Sequence, residues 1–167
     1  MRRTVSTLAL GFIATVAVAA VATSCGSDST GPTNKTYIAN LIAINEGPGH
    51  TSPGSGVATF VDLGTEIDWT LELTNMTAVF ASHIHLGDVN AVGATAGPVI
   101  FNMFIPNGPP TGTVNGLIAH GSFTNANNVN ISLDSLRVLF NNGHAYANVH
   151  TTANQGGEIR DQVHPTN

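Results

Sequence analysis

The sequence is poor in cysteine and in charged residues. One of its 167 residues is cysteine, at position 25, so the chain cannot form an internal disulfide. Only 9% of the residues are charged, and beyond Arg2 and Arg3 three basic residues remain against ten acidic ones. Nucleic-acid binding needs a cluster of basic side chains that displaces counterions from phosphates, and the chain has none outside its first three residues. We therefore expect no nucleic-acid partner.

Signatures of several enzyme classes are also missing. The sequence contains no Gly-x-Ser-x-Gly elbow, no phosphate-binding Gly-Lys-Ser/Thr, no Cys-x-x-Cys pair and no dinucleotide-binding fingerprint. In contrast, 42% of the residues are hydrophobic, which is typical of a folded domain and not of a disordered chain. These observations favour a binding or structural module without catalysis.

The N-terminus has the layout of an export signal. Arg2 and Arg3 precede a mainly apolar run over residues 8–22, and small residues lead from there to Cys25. A run of 15 residues is shorter than the ~20 that a permanent membrane helix needs. We therefore predict a signal peptide over residues 1–24 and an exported protein.

The segment that ends at Cys25 resembles a bacterial lipoprotein signal, in which the cysteine becomes the lipidated first residue. Small residues precede the cysteine, although Ala22 replaces the usual leucine. The resemblance implies a lipid anchor at Cys25, a flexible tether over residues 25–35 and a membrane-anchored location in the cell envelope, on the extracytoplasmic face. The alternative is an ordinary signal peptide whose removal leaves a free thiol.

The predicted domain, residues 36–164, has a hydrophobic period of two. Ile67, Trp69, Leu71 and Leu73 alternate with polar residues, as in a strand with one buried face. Gly, Pro and Asn separate this run from seven others of similar composition. The predicted strands cover residues 36–44, 56–61, 65–74, 77–86, 98–105, 116–123, 144–150 and 158–163. About eight short strands predict an all-β, antiparallel β-sandwich.

One short helix is predicted near the end of the domain. Apolar residues recur at near-helical spacing from Leu133 to Asn141. Ser132 is a candidate N-cap, and Gly143 is a candidate stop signal.

Several ordered motifs resemble the CHRD (chordin) domain family. They include Asn45-Glu46-Gly47-Pro48, Ser82-His83-Ile84-His85, Ala96-Gly97-Pro98-Val99, Tyr146-Ala147-Asn148-Val149-His150-Thr151 and Gly156-Gly157-Glu158-Ile159-Arg160. The resemblance covers roughly residues 37–163, with Asp161 and Gln155 as departures from the usual Gly and Pro. It implies an immunoglobulin-like or superoxide-dismutase-like sandwich, secreted or lipid-anchored in bacteria, without established catalysis. Because chordin-type domains occur in extracellular growth-factor antagonists, it also implies an extracellular protein partner.

Polar residues of three predicted strands form the candidate site. Residues two apart on a strand point to the same side, so His83 and His85 share one face, which is the outer face if the aliphatic side is the core. The same alternation puts polar residues on the outer face of the two later strands. If these strands lie close to the first in the sheet, one polar surface cluster results, made of His83, His85, Asn148, His150, Glu158 and Arg160. Neutral imidazole nitrogens suit copper and zinc, which makes His83, His85 and His150 candidate metal ligands.

Two interpretations of this cluster stay open. In the first, the histidines hydrogen-bond to the backbone, to Asn148 and to Glu158 and order the polar face of the sheet, and Glu158 and Arg160 form an ion pair. In the second, the protein binds copper or zinc. Residues 82–102 resemble copper/zinc superoxide dismutases, which makes related redox chemistry the enzymatic alternative. Val99 and Ile100 stand where that family places a histidine, so its two-metal site cannot be built here.

The other four histidines, His50, His120, His144 and His164, have no partner at a comparable spacing and are expected to face solvent.

Overall fold

The structure, a computed structural model, describes residues 34–88, 97–108, 111–126 and 131–166. The predicted signal peptide, Cys25 and all but the last two residues of the predicted tether lie outside these ranges. The described strands are β1 (Lys35–Leu41), β2 (Ser55–Asp62), β3 (Ile67–Thr77), β4 (Val79–Leu86), β5 (Val99–Phe104), β6 (Thr113–Phe123), β7 (Ala145–Thr151), β8 (Ile159–Gln162) and β9 (His164–Pro165). A 3-10 turn (Ala43–Glu46) follows β1, and helix α1 (Leu133–Asn142) precedes β7.

The strands form two antiparallel sheets. One sheet has the order β6-β3-β2-β1-β9, and the other has the order β5-β4-β7-β8. Apolar side chains from both sheets and from α1 make up one buried core, in which Phe60 and Phe123 stack and Phe60 also contacts Phe140. The predicted all-β sandwich with one short helix is confirmed.

The alternation of β3 shows why the sequence adopts this fold. Ile67, Trp69, Leu71 and Leu73 are buried as predicted, and Asp68 and Thr70 between them are partly exposed. A period of two places every second side chain on the core face of a strand, so the burial of these apolar groups fixes the register of the sheet.

Helix α1 begins and ends where the sequence predicts. The Ser132 side chain accepts a hydrogen bond from the backbone N–H of Ser135, and Gly143 adopts a left-handed conformation with φ of 65°. Leu133, Leu136 and Phe140 face the core. Within the described ranges, no helix is long and apolar enough to cross a membrane.

Strand β7 departs from the sequence-based expectation. The sequence predicts that Asn148 and His150 face solvent, yet all seven residues of β7 are buried. Segments distant in sequence cover this outer face. The 3-10 turn reaches β8 through a hydrogen bond from Arg160 to the Asn45 carbonyl, and the residues that precede β5 and β8 reach the histidines.

Candidate metal centre

Neighbouring strands bring the three predicted ligands together. In the β4–β7 pairing His83 lies opposite Asn148 and His85 opposite Tyr146, so His150 is a diagonal neighbour of His83. Each histidine offers one ring nitrogen, and these three nitrogens lie within 4.8 Å of one another. Among the described residues this is the one such group of three or more histidine, cysteine or acidic side chains.

The His85 ring is held so that one nitrogen is available. Its Nδ1 lies 2.7 Å from the carbonyl oxygen of Gly97, which can only accept, so Nδ1 carries the proton. The ring stacks on Tyr146, with 5.0 Å between centroids and an interplanar angle of 6°. Its Nε2 is buried and has no hydrogen-bond partner in the described part of the chain. A buried nitrogen lone pair without a partner is suited to a metal ion.

His150 is oriented in the same way by a different loop. Its Nδ1 lies 3.0 Å from the carbonyl oxygen of Gln155 and therefore donates the proton. Its Nε2 carries the lone pair and lies 3.1 Å from Nδ1 of His83. Without a metal, His83 Nδ1–H donates to His150 Nε2. Metal binding would require that proton to leave Nδ1 or to move to the other ring nitrogen of His83.

Glu158 holds the loop that carries the Gln155 carbonyl. Its carboxylate accepts hydrogen bonds from the hydroxyls of Ser52 and Thr151 and from the Asn154 side-chain amide. Glu158 therefore supports His150 indirectly, through the loop between β7 and β8. The predicted hydrogen bond between a histidine and Glu158 is not among the contacts of the described residues.

The predicted ion pair between Glu158 and Arg160 is wrong. Arg160 Nε lies 2.6 Å from the Asn45 carbonyl oxygen and 3.7 Å from a carboxylate oxygen of Glu46. The reason is that Glu158 is engaged by the loop hydroxyls, whereas Arg160 reaches the 3-10 turn across the sheet. Burial raises the pKa of the Glu46 carboxyl, and Arg160 partly opposes this effect.

The predicted exposure of the polar cluster is also wrong. His85 is 4% exposed, His150 is 7% exposed and Arg160 is 5% exposed, and Asn148 is buried as well. His83 and Glu158 are partly exposed. The cluster is therefore a largely buried polar centre under the covering loops, and His83 is the most exposed of its three histidines.

Burial keeps the three rings neutral. It lowers the pKa of each histidine, and the neighbouring rings lower those of His83 and His85 further; the pKa of His83 falls to about 4. Neutral imidazole is the form that binds a metal ion, so all three rings are ready to act as ligands at neutral pH.

This burial predicts that the metal-free protein loses stability in mild acid. An unfolded chain protonates His83 near pH 6.5, whereas the folded protein holds it neutral down to about pH 4. The unfolded state binds more protons between these values, so the free energy of unfolding falls as the pH drops through this window. We expect His83 to account for ~1–2 kcal/mol of this fall in the free energy of unfolding, after allowance for its partial exposure.

Urea denaturation at pH 7 and pH 4.5 measures this effect. His83→Gln should weaken the pH dependence, whereas His120→Gln, which alters an exposed histidine, should leave it unchanged. Equal pH dependence in the wild type and in His83→Gln would contradict the assignment.

The spacing of the nitrogens suits a single metal ion. With metal–nitrogen bonds of about 2.05 Å, two nitrogens 3.1 Å apart subtend an angle of about 100° at the metal. Two such bonds in line span about 4.1 Å, which is the largest separation of two nitrogens on one metal ion. Two nitrogens at the 4.8 Å limit would therefore have to move about 0.7 Å closer together.

Sequence reasoning missed the groups that orient the rings. The carbonyls of Gly97 and Gln155 belong to the backbone, so no residue type marks them. Tyr146 and Glu46 lie in motifs that carry the family resemblance, but their contacts with His85 and Arg160 depend on the fold. His50, His120, His144 and His164 are exposed, as predicted.

Comparison with known proteins yields one match. The CHRD domain family model matches residues 37–163, a range that contains the three histidines and both carbonyls that orient them. No curated protein and no solved structure matches the chain.

Proposed function

The chain belongs to the CHRD domain family, and from this premise we propose an extracytoplasmic module that binds one copper or zinc ion through His83, His85 and His150. CHRD domains are in general extracellular modules without catalysis. The proposal depends on one observation above all, the convergence of three ring nitrogens within 4.8 Å of one another.

The surroundings of the rings support this function. Gly97 and Gln155 fix the protonated nitrogens of His85 and His150 and leave the opposite nitrogens available. Partners of this kind set the tautomer and the orientation of a metal-binding histidine. An arrangement that only ordered the sheet would not require a buried, unpartnered Nε2 on His85.

Metal analysis of the purified protein tests the proposal. After removal of bound metal with a chelator, the protein is incubated with copper or zinc, passed through a desalting column and analysed for metal. We expect one ion per chain with either metal, and no retention of magnesium or calcium, because the donors are imidazole nitrogens. Failure to retain either copper or zinc would overturn the proposal.

We further propose that Cys25 carries a lipid that anchors the module to a membrane. The support comes from the sequence, in which a basic start, an apolar run and small residues lead to the single cysteine. An anchor of this kind would hold the domain at the extracytoplasmic face of the envelope through a polar tether.

Labelling with a radioactive fatty acid tests the anchor. The wild type should incorporate label and fractionate with membranes, Cys25→Ser should abolish the labelling, and the signal-peptidase inhibitor globomycin should leave a labelled precursor whose signal peptide is uncleaved. Ser29→Ala, a matched change in the predicted tether, should have no effect. Recovery of unlabelled wild-type protein in the soluble fraction would contradict the anchor.

A further inference from the structure

The charges around the three histidines are unusual for a zinc site. The second nitrogens of His85 and His150 bond to neutral backbone carbonyls, those of Gly97 and Gln155. A carboxylate in that position would make the ring a stronger donor and would offset part of the metal's charge. Besides burial, the neighbouring rings lower the pKa of His83, and His150 and Arg160 lower that of His85.

Arg160 is a fixed cation beside the centre. Its guanidinium carbon lies 5.5 Å from the centroid of the Tyr146 ring, on which His85 stacks. The arginine is buried and is held by the Asn45 carbonyl and by Glu46. The other acid close to the site is Glu158. Its carboxylate accepts hydrogen bonds from Ser52, Thr151 and Asn154. The centre therefore combines three neutral ligands with an arginine that is paired to Glu46.

We propose that the resident ion of this centre is copper, held as Cu(I), and that the centre binds Cu(I) more tightly than Zn(II). The inference rests on the proposed function and specifies its metal.

The first reason for this preference is charge. Moving an ion from water into a buried site costs more for a charge of +2 than for a charge of +1. The three neutral imidazoles do not compensate for either charge. A buried donor set without an anionic ligand therefore favours the ion of lower charge.

The second reason is coordination number. Zn(II) in proteins takes four ligands and adds a water molecule where the protein supplies three. Cu(I) is satisfied by two or three ligands, so His83, His85 and His150 complete its coordination. If the site took up Cu(II), its reduction to Cu(I) would be a one-electron step, with the electron supplied by an external reductant such as ascorbate. No bond between the protein and the metal would need to break, and the proton that ascorbate loses on oxidation would pass to solvent.

A competition experiment with the wild-type protein tests the preference. Under anaerobic conditions the purified protein competes with bicinchoninate for Cu(I) and, separately, with a chromophoric chelator for Zn(II). We expect a Kd for Cu(I) about 100-fold below that for Zn(II), a difference of two decades. Equal or tighter binding of Zn(II) would overturn this inference and leave the proposed function intact. Failure to bind either ion would overturn both.

The reduction potential tests the role of Arg160. In the Arg160→Gln protein, the affinity for Cu(I) relative to that for Cu(II) should fall about tenfold. This change lowers the Cu(II)/Cu(I) reduction potential by about 59 mV, the value for a one-electron couple. Arg160→Lys keeps the charge and should stay near the wild-type value. Arg137→Gln is the matched control, because that arginine is held by Asp62 and Asp134 on the helix side of the domain.

An unchanged potential in a folded Arg160→Gln protein would refute the contribution of Arg160. If this variant fails to fold, the Cu(II)/Cu(I) midpoint potential of the wild-type protein tests the inference by itself. A midpoint above that of aqueous copper supports the preference for Cu(I), and a midpoint below it overturns the inference.

Discussion

Replacement of both His83 and His85 by alanine should abolish metal retention while the β-sandwich persists. The double variant keeps one imidazole of three, and a single neutral ligand cannot hold a copper or zinc ion through a desalting step. We expect the Kd to rise by at least about 100-fold, which corresponds to ~2.7 kcal/mol of binding free energy. Elemental analysis measures the retained metal, and far-UV circular dichroism reports whether the fold persists.

The matched control changes two histidines elsewhere. His120→Ala together with His144→Ala removes the same number of imidazoles from exposed positions, so this variant should retain one ion per chain. Stoichiometric metal in the His83→Ala/His85→Ala variant would show that the ion binds elsewhere. Loss of metal in both double variants would indicate nonspecific binding to surface histidines.

Gly97→Ala should damage both the fold and the metal centre. A Cβ atom at this position would lie 1.7 Å from the backbone oxygen of Leu86, so the segment before β5 must move. That movement would break two hydrogen bonds, from His85 Nδ1 to the Gly97 carbonyl and from the Gly97 N–H to the Tyr146 hydroxyl. We expect a loss of ~2 kcal/mol or more in the free energy of unfolding and a 10- to 100-fold loss of metal affinity, roughly the effects of overpacking and of a lost supporting contact.

Gly108→Ala is the control for this substitution. Gly108 has open space around the position that a Cβ would occupy, so stability and metal affinity should stay close to those of the wild type. Denaturant unfolding and metal competition measure the two effects separately. A Gly97→Ala protein with wild-type stability and affinity would contradict the proposed support of His85.

Much of the fold could be predicted because the signals are local. The alternation around Trp69 specifies the buried face of β3, and Ser132 and Gly143 specify the ends of α1. Each signal depends on residues within one strand or one helical turn, where the chemistry of a few side chains determines the backbone.

The environment of the site could not be predicted in the same way. The spacing of His83 and His85 correctly places their rings on one face of β4, and His150 joins them through the β4–β7 pairing. Whether that face is open or covered depends on segments distant in sequence, such as the 3-10 turn that binds Arg160. Periodicity describes two sides of a strand, but it does not say what lies above each side.

The Glu158 prediction failed for a related reason. Two opposite charges two residues apart suggested a local pair, but hydroxyl and amide donors from Ser52, Thr151 and Asn154 occupy the carboxylate instead. Small neutral donors compete well for a partly buried carboxylate when the fold places them within hydrogen-bond distance. Such competition depends on three-dimensional proximity, which pairwise spacing in the sequence does not contain.

The X-ray absorption spectrum of the copper-loaded protein tests the three-histidine centre most directly. Convergence of His83, His85 and His150 on one ion predicts three nitrogen neighbours at about 2.0 Å, with the outer-shell scattering that imidazole rings produce. Loss of this pattern in the His83→Ala/His85→Ala variant would assign it to these rings. A first shell made of oxygen atoms, or one that contains the sulfur of Cys25, would contradict the account.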